Sequence, residues 1–140
     1  MRVRDLAVKS IKAIFAGCAF IIFVVLLMQL AYIFIAVAYN ALAKDFTFLN
    51  DISGLFRYLI GIPVFVAVMF IGGYITAYIA SKKVIPHCIA VGLITAGGMI
   101  YPTLENSTLT TTGIVVFVLA LAGTVAGGLY WQKDNEQYRV

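Results

Sequence analysis

The first candidates for metal binding or nucleophilic chemistry are the one histidine, His87, and the two cysteines, Cys18 and Cys88. A haem iron held by histidine needs a second axial group, which one copy of the chain does not supply unless a dimer or another subunit provides it. The two cysteines lie 70 positions apart and form no metal or disulfide spacing, and a free cysteine commonly packs as a small apolar residue. The sequence shows no serine, histidine and acid set for nucleophilic catalysis and no glycine-rich loop leading into a soluble helix. It therefore predicts no catalytic residue, no metal site and no cofactor. His87 stands as the one ligand candidate, and it reads first as a helix-start histidine.

A second group could bind without reacting. Gln29, Tyr32, Ala36, Tyr39 and Asn40 recur at spacings of three and four, which places them near one face of a helix. Gln29, Tyr32 and Asn40 could line a polar groove open to a quinone head group or a small solute. The structural reading of the same residues is that Gln29 and Asn40 hydrogen-bond to neighbouring helices, a contribution of about 0.6–2 kcal/mol each in a membrane.

The elements that position these groups follow from composition. Of 140 residues, 63% are hydrophobic and 11% charged, against about 45–50% and about 25% in soluble domains. Crossing a hydrocarbon core takes about 20 apolar residues of helix, so four spans and their loops use nearly the whole length. The fold class predicted is an all-α membrane protein, an up-down bundle of four transmembrane helices forming one integral-membrane domain. Its spans are expected at residues 13–40, 58–80, 84–101 and 113–131. Residues 13–43 carry no charge, a run about twice the apolar region of a signal peptide, so a retained helix is favoured over a cleaved one. Within 48–56, Phe48, Leu49, Ile52, Leu55 and Phe56 keep helical spacing, which fits either an interfacial helix or an early turn of span two. Pro63 stands near the outer end of that span.

Charge sets the orientation. With the N-terminus cytoplasmic, Arg2, Arg4, Lys9, Lys12, Lys82, Lys83, Lys133 and Arg139 are inside, and only Lys44 and Arg57 are outside. This follows the positive-inside bias. It predicts both termini in the cytoplasm, anionic lipid as the partner of the basic ends, and no nucleic-acid binding. Tyr130 and Trp131 stand where an aromatic anchor at the cytoplasmic interface belongs. The sequon at Asn106, Ser107 and Thr108 lies too close to span three to weigh in a bacterial-looking chain.

The best-defined pattern after topology is one of small residues. Gly73, Ala77 and Ser81 recur every four residues beside Gly72; Cys88, Gly92 and Ala96 do so in span three; Gly123 and Gly127 form a GxxxG in span four. In lipid, close backbone approach and dispersion hold helices together, so these rows read as helix-packing positions, within the bundle or toward a partner. A fainter echo relates residues 72–83 to 122–133, each a glycine-rich half-helix running into a basic end. The stretch GGYITAYIASKK, then Pro86, His87, Val91 and Gly92, resembles small, uncharacterised four-span bacterial inner-membrane proteins. That resemblance implies the bacterial inner membrane and brings no catalytic residue.

No Asp, Glu, Lys or Arg falls within the four spans, which argues against an ion-coupled antiporter. Small four-span multidrug exporters are similar in size but carry a glutamate in the first helix, where this chain has Gln29. The asparagine and phenylalanine motifs of four-span fluoride channels are not recognisable. The function expected is that of a non-catalytic accessory or assembly subunit, packing through Gly/Ala faces against a membrane-protein partner or a second copy. The alternative is a small oligomeric channel or transporter.

Overall fold

The computed structural model describes the helical backbone and, within it, the side chains of residues 8–39, 59–81, 83–98, 111 and 113–135. Four helices follow one another in the described chain: α1 (Val3–Leu42), α2 (Phe48–Ala80), α3 (Val84–Glu105) and α4 (Thr111–Gln137). The protein is an all-α membrane bundle. Val8–Tyr39, Leu59–Ala80 and Gly113–Asn135 are each long and apolar enough to cross a bilayer, and α3 contributes the shorter apolar stretch Val84–Gly98.

Residues 48–56 are the opening turns of α2, which is continuous to Ala80. Pro63 therefore lies deep inside this helix. Lacking an N–H, it leaves the Leu59 carbonyl without its usual donor. Pro86 meets no such difficulty, because it stands in the first turn of α3, where backbone N–H groups have no intrahelical partner anyway. Likewise α3 continues past Pro102 to Glu105, and α4 continues past Trp131 to Gln137.

The connection between α2 and α3 is abrupt. Ser81 and Lys83 adopt positive φ values of 59° and 50°, in the left-handed region that non-glycine residues seldom enter. The Ser81 N–H still donates to the Ala77 carbonyl at 3.0 Å, closing the end of α2. Across the gap, Lys9 Nζ of α1 donates to Ser81 Oγ at 3.2 Å, which sets Lys9 level with this turn.

Helices α2 and α3 form the shared middle of the bundle. Helix α1 packs on one side of them and α4 on the other, and α1 and α4 do not touch among the described residues. The core centres on Ile21, Val68, Met69, Val91, Ala96 and Ala120, with a second cluster of Ala77, Val84 and Cys88 toward the α2–α3 turn.

The helices differ in reach. At about 1.5 Å per residue, α1 is about 60 Å long and α3 about 33 Å. Gly17 lies beside Val91, so α3 ends roughly level with Ala31, and α1 continues about 16 Å further. From Leu30 to Ile35 every residue of α1 is exposed.

Candidate functional site

Glycines carry the closest contacts, and in each case the neighbour is another helix of the same chain. A Cβ on Gly73 would strike the backbone of Thr124, with Thr124 C and Cα at 2.7 and 2.8 Å. One on Gly127 would meet the Phe70 carbonyl, with Tyr74 N at 3.0 Å, and one on Gly123 would reach Met69 Cβ at 2.9 Å. These three positions let α2 and α4 lie backbone to backbone. Gly92 faces Thr124 Oγ1 and Leu121, joining α3 to α4, and Gly72 receives the Ile21 side chain of α1. Ala77 and Ala96 are fully buried in the same interfaces, whereas Ser81 is exposed at the turn.

Two further glycines belong to this set. A Cβ on Gly17, the sole glycine of α1, would strike Thr76 Oγ1 and come within 3.4 Å of the Gly72 carbonyl, and one on Gly128 would meet Cys88 Sγ. Gly17 was open to notice in the sequence as the lone glycine of α1, four positions after Ala13, which is buried on the same face. Gly61, Gly97 and Gly98, in contrast, have nothing within 4 Å of an added Cβ.

Buried polar groups serve the helices that bear them. Thr76 Oγ1 donates to Gly72 O at 2.8 Å, Thr95 Oγ1 to Val91 O at 2.8 Å, and Thr124 Oγ1 to Ala120 O at 3.1 Å. Each hydroxyl satisfies itself on its own preceding turn, as threonine in a helix can. Cys88 instead reaches a neighbouring helix, its Sγ donating weakly to Gly73 O at 3.5 Å. Cys18 and Cys88 are free thiols buried at separate interfaces.

His87 is half-buried at the start of α3, with Nδ1 2.7 Å from the Lys83 carbonyl. A carbonyl only accepts, so Nδ1 carries the hydrogen and Nε2 is left as the ring's other nitrogen. Among the described residues no three His, Cys, Asp or Glu side chains gather into a metal-binding group. At the same end of the bundle, Trp131 packs against the second core cluster, and the Tyr130 ring lies 5.7 Å from Phe70 and 6.4 Å from Tyr74.

The remaining feature is a groove of about 470 Å³ between α1 and α2. Its lining is mainly apolar, from Val25, Met28, Ile33, Gly61, Phe65 and Val68, and Gln29 and Tyr32 are its two polar residues. Gln29 and Tyr32 thus share a site, while the side chain of Asn40 lies outside the described residues. Higher on α1, the Tyr39 hydroxyl oxygen is buried with no hydrogen-bond partner among the described residues.

Comparison with family models, curated proteins and solved structures gives no match for this chain.

Proposed function

We propose that the protein is a non-catalytic subunit of the bacterial inner membrane, both termini cytoplasmic, that acts by packing α1 against another membrane chain. The observation that carries this reading is the division of labour among its helices. The glycine faces of α2, α3 and α4 are filled by one another down to backbone contact, and their threonine hydroxyls are bonded within their own helices. Such packing leaves little room for a solute path between these three helices. Helix α1, by contrast, docks through Gly17 and Ile21 and leaves a long apolar face uncovered, with the groove at its edge. Of the repeating small residues that could have met a partner, all but Ser81 are therefore occupied, and the longest free surface is the bulky one on α1.

Orientation rests on the eight-to-two division of basic residues in the sequence. A cysteine introduced at Ser107 is expected to react with a membrane-impermeant maleimide in intact cells, and one at Ser81 only after permeabilisation; the reverse pattern would invert the topology. Purification in mild detergent is expected to retain a larger membrane complex at fixed stoichiometry. Ion or solute flux through proteoliposomes holding this chain alone would replace the subunit reading with that of a channel or transporter.

A further inference from the structure

The uncovered face of α1 has an internal order. Phe15, Ala19, Ile22, Leu26, Gln29 and Ile33 follow one another at alternating steps of four and three, and all are exposed. A step averaging 3.5 residues keeps one narrow stripe turned toward a neighbour along the whole of a long helix, which is the seam of a paired coil. Phe15, Ile22, Leu26 and Ile33 leave 74, 52, 57 and 57% of their surface free. The bundle-facing stripe of Ala13, Gly17, Ile21 and Val24 lies on a different side of the helix.

One member of the free stripe does not suit lipid. Gln29 lies 17 residues beyond Lys12, about 25 Å along the helix, so with Lys12 at the inner interface its amide sits within the hydrocarbon layer of about 30 Å. It is exposed there and has no hydrogen-bond partner in its own chain among the described residues. A carboxamide carries both a donor and an acceptor, so a second carboxamide can satisfy both at once. In the sequence, Asn40 continues the same stepping eleven residues on, three helical turns away.

We infer that α1 pairs with α1 of a second copy of this chain, in parallel and in register, with the two Gln29 amides hydrogen-bonded across the two-fold axis. Copies inserted in one membrane share one orientation, so a symmetric pair has its axis along the membrane normal and each stripe residue meets its own counterpart. Parallel pairing thus brings Gln29 to Gln29 without further adjustment. A single polar residue in an apolar seam fixes register and partner number in coiled coils. Ala19 on the stripe allows close approach at the inner end. The groove flanks the stripe at Gln29 and Ile33, where Gly61 leaves open space for side chains of the second helix. This inference rests on the subunit reading and names its partner.

Paired single-cysteine variants test it in native membranes with the full chain. Leu26→Cys and Leu27→Cys lie at one depth but 100° apart around the helix, as do Ile33→Cys and Phe34→Cys, and all four parent side chains are exposed. Oxidation is expected to give a product of twice the 15.2 kDa chain mass from Leu26→Cys and Ile33→Cys, with little from Leu27→Cys and Phe34→Cys. In the Leu26→Cys background, adding Gln29→Leu should lower the association constant about 3- to 30-fold, and Gln29→Asn should restore much of it. Equal cross-linking at all four positions, cross-linking to a different and heavier partner, or no effect of Gln29→Leu would each overturn the pairing. Its failure shows in this pattern, whereas failure of the subunit reading shows in proteoliposome flux.

Discussion

Replacing Gly127 by alanine sets a methyl group against the Phe70 carbonyl oxygen, with Phe70 C at 2.9 Å and Tyr74 N at 3.0 Å. These are backbone atoms, so no side chain can rotate aside and α4 must retreat from α2. A retreat on the order of 1 Å forfeits about a quarter to a half of the dispersion energy at each contact it opens. Overfilling a packed core costs about 1–3 kcal/mol, and the interface here includes the buried Met69, Thr124 and Ala77. Alanine recovers up to about 1 kcal/mol through its higher helix propensity. Gly97→Ala isolates that last term, because a Cβ there meets nothing within 4 Å. The two variants should therefore differ by about 1–3 kcal/mol, with Gly127→Ala the less stable. For a chain of this size that corresponds to about 4–12 °C in the midpoint of thermal unfolding, read by circular dichroism in detergent. Gly73→Ala pushes on the same interface through Thr124. Once one methyl has spread α2 and α4 the second has less to displace, so the double variant should fall short of the sum. Gly127→Ala matching Gly97→Ala would refute the backbone-to-backbone contact of α2 and α4.

Two further substitutions probe local strain and an orphaned hydroxyl. Lys83→Gly should raise the unfolding midpoint, through relief of about 1 kcal/mol of left-handed strain at φ 50°. The His87 ring should keep its bond, since its acceptor is the backbone carbonyl; a lowered midpoint would show that the Lys83 side chain holds the turn. Tyr39→Phe removes a buried hydroxyl oxygen without a partner among the described residues, so stability should be unchanged or higher by about 1 kcal/mol. A loss greater than that, measured in the same thermal assay, would show that the hydroxyl is bonded in the membrane.

Much of the architecture was legible because lipid imposes simple demands. Runs of apolar residues broken by Lys82 and Lys83, and by the polar loop near Asn106, mark the helices whatever their packing. The glycine spacing in α2 and α4 was visible for the same reason: an i, i+4 repeat leaves a flat strip whose use is backbone approach. What the strip would meet was not visible, because a small residue carries no chemical mark of its neighbour. Gly73 and Gly127 turn out to touch Thr124 and Phe70 of their own chain. The two faces of α1 were harder still to separate. Every side of that helix is mainly apolar, so only Gln29 offers a polar contrast between the docked stripe at Gly17 and Ile21 and the free one at Leu26 and Ile33. Gln29 and Tyr32 stood out as polar residues in an apolar run. Gly61 did not, since its role in the groove depends on what α1 places opposite it.

The separation of α1 from α4 bears on how the protein is made. Gly17 and Ile21 find their seats on Thr76, Gly72 and Val91, all of which are translated more than fifty residues later. Since synthesis proceeds from the N-terminus, α1 enters the bilayer before anything exists for it to pack against. Its all-round greasiness lets it wait there as a free-standing span, which a helix with one polar side could not do. The later helices then close on one another through their glycines, and α1 joins a bundle whose far side it never needs to reach.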